Sequence, residues 1–485
     1  MPGELAYKAA KPLKSMPGPS FWKFSWDVMK DPGLKLKIDQ VCRGWFNQYG
    51  PIFILNVPGL ASRVNIMDPE SVQILLAKDG KYPIEMVFDF WVYYRNNIRK
   101  DLFPETGGLL GNHGEEWWRV RSLVQQDMLR PKSAMFYLND LEQIALQFCE
   151  KMEHKADSSM EVDDVTGLLY RWALESVSSI FLDARLNCLA ENLSPDSDTA
   201  RLIESVNIVL GEDASDMVGG PPIWKYVATP GYRRFDKAST EIYNICKKLT
   251  QVAVEKLQNS SEKSEGLSVL EKMIRRAGPD SQIPAVMAMD AITAGIDTTG
   301  NTAAFLLYDL ATHPEVQEQL YKEIQDVIGK NEEVTESALK RMRYLKACVH
   351  ESQRMKPAIP GLNRETTQDM VLGGYQIPSG TVVTYWNLLA MNDEKNFPEP
   401  EKFKPERWLR GCPGQHTAHP FAAIPFSFGP RMCIGRRFAE LEVYMLAIKV
   451  VQKFRLEYHH QPVGMAIPFV CRPDRNIKMK FIPRN

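Results

Sequence analysis

The chain has 485 residues, and its 59 Lys and Arg against 60 Asp and Glu give a formal charge of −1. Hydrophobic residues make up 44% and charged residues 25%, the balance of a folded globular chain, which excludes a disordered, collagenous or coiled-coil protein. The near-neutral charge also lacks the basic excess on which a dedicated nucleic-acid binder relies, so no nucleic-acid partner is expected.

In chain order, Pro17-Gly18-Pro19 forms a stiff lead-in. Two strands follow, Pro51–Val57 and Arg63–Met67, joined through Pro58-Gly59. Helical periodicity then marks Glu115–Met128, Leu138–Glu153, Asp164–Leu182, Thr199–Gly211 and Phe235–Leu257, with polar breaks at Glu191–Asp198 and Asn259–Gly266. A helix from about Gln282 to Thr312, some 30 residues, would span roughly 45 Å. Its apolar stretch Ala285–Met289 implies burial. Tyr344–Met355 is another helix, Val371–Ile377 and Thr381–Trp386 are strands, and Asn387–Phe428 is irregular. Helical periodicity resumes over Ile434–Lys453. No repeat, low-complexity tract or linker separates these segments, which predicts a lead-in over residues 1–20 and one mainly α domain with a small β-rich part over 21–485.

Eight scattered cysteines without a C-x-x-C pair offer no zinc framework, and a chain this long needs no disulfide staples. No run of 18 apolar residues encodes a membrane-spanning helix. Met1–Ser20 matches neither a signal peptide nor a transit peptide.

The strongest chemical signal is Phe426-Ser-Phe-Gly429-Pro-Arg431-Met-Cys433-Ile-Gly435. A thiolate at a helix N-terminus gains from unpaired amides and the helix dipole. Gly429 and Gly435 let the backbone turn tightly beside a flat ligand, and Arg431 offers a fork for a carboxylate on it. A lone cysteine is usually a structural core residue. The flanking aromatic, glycines and arginine argue against that here.

This window resembles the haem-binding loop of cytochromes P450, and the resemblance spans essentially the whole chain from Pro17 on. It implies the P450 fold with a long central helix over haem b, whose iron is ligated by the Cys433 thiolate, with Phe426 packed nearby and Arg431 near a propionate. Trp117-Trp-Arg-Val-Arg121 fits the family's W-x-x-x-R, which implies that Trp117 and Arg121 bind a propionate; Arg364 is a further candidate by position. Glu351-Ser-Gln-Arg354 places a carboxylate and a guanidinium on one helical face. Family resemblance adds Arg407, from Phe403-Lys-Pro-Glu-Arg407-Trp408, to complete a buried structural ion triad with them.

Gly, Asp and two Thr in a buried helix are poor choices on propensity alone. Ala294-Gly295-Ile296-Asp297-Thr298 therefore suggests a local opening in the long helix, with an acid beside an alcohol able to relay protons. The resemblance assigns Asp297 to proton supply and Thr298 to the bound oxygen species.

The basic residues Lys340, Arg341, Arg343, Lys346, Lys356, Arg436 and Arg437 suggest a face that steers an acidic electron carrier, or simply a solvated helix surface. Cys433-Ile-Gly-Arg-Arg-Phe-Ala-Glu, Tyr344–Ser352, Val286–Asp290 and Glu351–Arg354 resemble the mitochondrial branch of animal P450s, especially invertebrate and arthropod members. That implies an adrenodoxin-like [2Fe–2S] ferredoxin with an NADPH–ferredoxin reductase, and a peripheral place on the matrix side of the mitochondrial inner membrane. His350 stands where that branch often has a second lysine, which weakens one ferredoxin contact.

By resemblance the substrate pocket draws on the aromatic loop Phe88, Phe90, Trp91, Tyr93 and Tyr94, on Ala294, Ile359 and Leu362, and on Ile467 in the Met465–Phe469 turn. The same aromatics also suit ordinary core. Gly219-Gly-Pro-Pro-Ile-Trp224 suggests a membrane contact that admits a lipophilic molecule. A steroid or ecdysteroid-like substrate and a xenobiotic both fit an apolar pocket. The expected activity is monooxygenation. The rivals are a P450 isomerase or synthase without external electrons, a haem-bound ligand sensor without turnover, and a cysteine hydrolase, which lacks a histidine partner for Cys433.

Overall fold

The helix Ile283–Thr312 runs unbroken for 30 residues and is buried along most of its length. The computed structural model describes residues 2–29, 36–56, 62–85, 89–191, 193–211, 223–259, 267–329, 332–412 and 414–484. The Pro58-Gly59 turn, Phe88, residues 219–222, and residues 192 and 260–266 of the two polar breaks lie outside them.

Helices Val165–Phe181, Pro230–Asn259 and Arg436–Lys453 pack around the long helix. Two glycines permit the approach of Val165–Phe181. A Cβ on Gly295 would lie 2.7 Å from Val177 Cγ2, and one on Gly300 would lie 2.6 Å from Tyr170 Cδ1. The expected local opening at Ala294-Gly295 is therefore corrected. The helix stays closed, and Gly295 serves the contact with Val165–Phe181.

Helix boundaries follow capping chemistry. Asp164 accepts from Gly167 N at 2.9 Å, and Ser197 accepts from Ala200 N at 3.1 Å. Ser268 and Glu271 form a reciprocal capping box. Helices also occur where the sequence reading placed none, at Phe21–Met29, Ile38–Tyr49 and Pro69–Ala77.

The β part is small. Strands β1 (Ile52–Leu55) and β2 (Arg63–Ile66) are antiparallel. After β3 (Glu161–Val162) come β4 (Leu362–Glu365), β5 (Met370–Leu372), β6 (Tyr375–Ile377) and β7 (Val382–Tyr385). One sheet has the order β1-β2-β7-β4, with β2 and β7 parallel and β4 antiparallel to β7. This sheet backs a second core that includes Met16, Ile52, Val64, Leu362 and Tyr385.

The single strand expected over Val371–Ile377 is a hairpin. Gly373 and Gly374, at φ +54° and +82°, turn β5 back on β6. The irregular stretch from Asn387 contains two short helical pieces, Asn387–Met391 and Pro405–Trp408. Strands β8 (Phe454–Glu457), β9 (Met465–Ala466), β10 (Arg472–Pro473) and β11 (Met479–Pro483) complete the chain, with β11 between β3 and β8.

Gly295→Val should lower stability by about 1–3 kcal/mol through overpacking, and adding Val177→Ala should restore part of the loss. Denaturant unfolding of the two variants checks this; an unchanged midpoint for Gly295→Val would show that the helices part freely here.

Candidate functional site

The Cys433 loop is shaped by its own backbone. Cys433 N donates to Phe426 O at 2.9 Å, and Met432 N donates to Gly429 O at 3.1 Å. Ser427 and Gly429 adopt φ of +59° and +81°. Gly435 is the N-cap of Arg436–Lys453, so the sulfur lies at a helix N-terminus as the sequence implies. Cys433 is exposed, yet desolvation by the protein packed around it pushes the thiol above its ordinary pKa, while the Gly435 and Arg436 amides and the charges of Arg121 and Arg436 pull it back. Phe426 lies beneath Arg436, whose guanidinium carbon is 5.5 Å from the ring centroid. Among the described residues, no group of three or more His, Cys, Asp or Glu is placed to hold a metal. A single thiolate donor at Cys433 would suit an iron whose other ligands come from a macrocycle.

Three buried arginines converge on the same region. Trp117 and Arg121 share one face of the helix Gly114–Leu129. Arg431 lies over the Trp117 ring at 4.5 Å, and Arg121 lies 5.5 Å from it. Arg121 Nη2 donates to Met432 O at 2.8 Å, and burial lowers its pKa to about 10, still charged at neutral pH. Arg431 Nε donates to Glu85 at 3.0 Å, and its Nη2 donates to Asn112 O at 3.2 Å and Leu109 O at 3.4 Å. Arg364, on β4, donates to Asp79 at 2.7 Å, to Glu85 at 3.2 Å and to Asn363 O at 2.9 Å.

One nitrogen of each remains buried without a hydrogen-bond partner: Arg121 Nε, Arg431 Nη1 and Arg364 Nη2. Unpaired buried donors of charged groups are costly. Three such donors near one thiol fit a flat ligand that carries carboxylates, and haem meets that description. Asp79 and Glu85 were not singled out in the sequence.

The loop that reaches Arg431 is tied to the long helix. Asp290 accepts from Arg95 Nη1 at 2.5 Å, from Leu109 N at 2.6 Å and from Leu110 N at 3.2 Å. Arg95 also donates to Gly107 O at 2.8 Å. Asp290 and Arg95 thus shape the loop whose Leu109 and Asn112 carbonyls hold Arg431.

Further along that helix, Thr298 Oγ1 donates to Ala294 O at 2.6 Å. Asp297 Oδ1 has no hydrogen-bond partner, and burial raises its pKa to about 6, with Arg472 opposing the rise. From the cysteine helix, Glu442 approaches Thr299; burial raises its pKa to about 8, and the Thr299 hydroxyl opposes the rise.

Glu351, Arg354 and Arg407 come together in the interior. Arg354 grips both Glu351 oxygens at 2.9 Å, and Arg407 Nε reaches Oε1 at 3.1 Å. Trp408 Nε1 at 2.9 Å and Lys404 N at 3.1 Å also donate to this carboxylate. The arginines spend further donors on the carbonyls of Met391, Pro400 and Glu399, which pins the segment leading to the Cys433 loop.

The basic candidates are less uniform than their spacing suggests. Arg343 and Arg437 are exposed, and Lys346 is half-buried. Lys340 pairs with Glu336 at 2.6 Å, Arg341 donates to Val327 O at 3.0 Å, and Arg436 pairs with Glu440 at 2.8 Å. Lys356 does not belong to this face. It turns inward to Asp309 at 2.5 Å and lies against Phe305 and Tyr308. His350 packs on Trp408, with ring centroids 5.5 Å apart.

The candidate substrate residues also divide. Phe90 and Trp91 stack at 4.8 Å inside the main core, and Phe235 and Phe469 meet their edges. Tyr93 packs on Trp224 at 5.8 Å, and Tyr94 donates to Asp236 at 2.7 Å. Leu362 belongs to the second core, and Ile467 clusters with Leu388 and Cys471. Ile359 is half-buried, whereas Ala294 is exposed. A cavity of about 330 Å³ lined by Thr312, Gln317, Glu318, Arg455 and Arg484 shares none of these residues.

A family model described as "Cytochrome P450" matches residues 16–481. "Probable cytochrome P450 301a1, mitochondrial" of Drosophila melanogaster is 32% identical, over 98% of this chain and 88% of that protein. "Cytochrome P450 CYP12A2" of Musca domestica is 33% identical, over 98% of this chain and 91% of its own length. "Probable cytochrome P450 12a5, mitochondrial" of Drosophila melanogaster is 33% identical, over 89% of this chain and 83% of its length.

Asp297 generates a pH prediction. The folded protein keeps its proton up to about pH 6, whereas the group ordinarily titrates near 3.8, so its contribution to stability falls as pH rises between these values. Asp297→Asn should therefore raise unfolding stability at pH 7.5, by up to about 3 kcal/mol, with the gap closing near pH 4. Denaturant unfolding at the two pH values checks this, and an equal gap at both would contradict it.

Proposed function

The chain belongs to the cytochrome P450 family, whose members are haem monooxygenases with iron bound by a cysteine thiolate, and within it we propose a mitochondrial-type enzyme that hydroxylates a lipophilic small molecule. The observation that carries this reading is Cys433 at a helix N-terminus beside three buried arginines, each with one unpartnered nitrogen.

In this reading Cys433 would bind the iron, and the nitrogens left on Arg121, Arg364 and Arg431 would hold the haem carboxylates. Bound haem supplies dioxygen activation, with one oxygen atom entering the substrate and the other leaving as water. The chain's own part is to hold and move protons. Asp297 Oδ1 titrates near neutrality, so it can both release and regain a proton at working pH. Thr298 Oγ1 commits its hydrogen to Ala294 O and keeps its lone pairs available as acceptors beside exposed Ala294. The triad around Glu351 is structural and holds the chain that leads to Cys433.

Two electrons come from a [2Fe–2S] ferredoxin served by an NADPH–ferredoxin reductase. Exposed Arg343 and Arg437, with Lys346 near Glu440, form the face that receives it. The mitochondrial names of similar proteins support this branch and a mitochondrial location, within which the matrix side of the inner membrane is the proposed place. Among the described residues no helix is long and apolar enough to cross a membrane. Trp22 and Trp26, four residues apart on one helix and 79% and 66% exposed, support peripheral membrane contact. Exposed Ala294, one turn before Thr298, offers an apolar surface that supports a lipophilic, steroid-like or xenobiotic substrate.

The test is reconstitution with a [2Fe–2S] ferredoxin and its reductase on a panel of steroids and xenobiotics selected by haem spin-state shift. Wild type should consume NADPH and yield hydroxylated product. Cys433→Ala should lose the thiolate-type spectrum of the reduced carbonyl complex and all turnover. Arg343→Glu with Arg437→Glu should raise the KM for ferredoxin at least tenfold. A thiolate spectrum retained by Cys433→Ala would refute the ligand assignment, and an unchanged ferredoxin KM would refute the docking face.

A further inference from the structure

The Glu85 carboxylate stands between two arginines that arrive from distant parts of the chain. Its Oε1 accepts from Arg364 Nη1 at 3.2 Å, and its Oε2 accepts from Arg431 Nε at 3.0 Å. Its location is fixed by the backbone. Ile84 forms a bridge to Glu365, and Glu365 N donates to Ile84 O at 3.0 Å, which sets residue 85 beside Arg364 on β4. The flanking Arg charges outweigh its burial and hold its pKa below the ordinary value, so Glu85 is ionised at neutral pH.

Glu85 therefore decides which guanidinium atoms are left over. Arg364 spends Nε on Asp79 and Nη1 on Glu85 and Asn363 O, and keeps Nη2. Arg431 spends Nε on Glu85 and Nη2 on two loop carbonyls, and keeps Nη1. Each arginine thus presents one defined nitrogen. The charge balance follows from the same contacts. Arg121, Arg364 and Arg431 contribute three positive charges, and Asp79 and Glu85 remove two of them. A dianionic haem edge then leaves the region negative by one charge. Negative charge near a buried iron favours its oxidised state.

We propose that Glu85 is a positioning residue that shares its carboxylate between Arg364 and Arg431, limits the positive charge at the haem edge, and so holds down the reduction potential of the bound haem. This rests on the reading that those arginines receive the haem carboxylates.

The test is the midpoint potential of the ferric/ferrous couple in holoenzyme, followed by optical redox titration alongside the reduced carbonyl spectrum. Glu85→Gln, close in shape but uncharged, should shift the midpoint to a more positive value with the thiolate spectrum intact. Glu85→Asp, which keeps the charge, should stay near wild type. A merely structural role would lower thermal stability in both without separating their potentials. An unchanged midpoint in Glu85→Gln, or an equal shift in both variants, overturns the proposal. Should Glu85→Gln fail to retain haem, Asp79→Asn decides, because it removes one charge from the same cluster and leaves the Glu85 bridge. A positive shift there supports the proposal, and none overturns it. Wild type without a thiolate spectrum would instead refute the underlying haem reading.

Discussion

Arg121, Arg364 and Arg431 each carry a positive charge into the interior, at 3%, 0% and 8% exposure. Burying an ion without full pairing costs several kcal/mol, so the surrounding elements are arranged to supply partners. Residue 79, just after a helix, and residue 85, beside β4, supply carboxylates. The loop pinned by Asp290 supplies the Leu109 and Asn112 carbonyls, and the cysteine loop supplies Met432 O. The pairing leaves one buried nitrogen of each arginine without a partner. That shortfall, near the Cys433 loop, is what the proposed reading assigns to the carboxylates of the haem.

The same economy recurs on the other side of the loop. Glu351 is wholly buried yet receives donors from Arg354, Arg407, Trp408 and the Lys404 amide. Its arginines in turn bond carbonyls of the otherwise irregular chain before Cys433. A stretch rich in Pro and Gly is thereby fixed by side chains where it lacks a ladder of its own. Asp297 is the opposite case. It is half-buried, with one buried, unpartnered oxygen and a raised pKa, an arrangement that reduces stability at neutral pH and suits proton transfer.

What was legible in the sequence was local. The Cys433 window, the Glu351–Arg354 pair and the Trp117–Arg121 face are each set by spacing within a few residues. Glu85 was not legible, because its partners lie 279 and 346 residues away. Helix position alone puts Lys356 on a surface face, and only the fold brings Asp309, 47 residues distant, to draw it inward. The small residues at 294–295 suggested a helix that opens; without Val177 in view, spacing could not show that Gly295 admits a neighbour. Other misses did carry a signal. Asp68-Pro69 is a helix start, with Asp68 accepting from Ser71 N at 2.7 Å. Gly373-Gly374 divides the segment that alternation alone predicts as one strand.

The account stands on the buried arginines being built for carboxylates. The direct measurement compares binding of haem and of its dimethyl ester, in which both carboxylates are masked, to haem-stripped protein. Loss of charge-assisted bonds at about 1.5–3 kcal/mol each predicts that the ester binds at least tenfold more weakly, although its iron can still reach Cys433. Equal affinity for the two would contradict the central claim, because the buried arginines would then contribute nothing to holding the ligand.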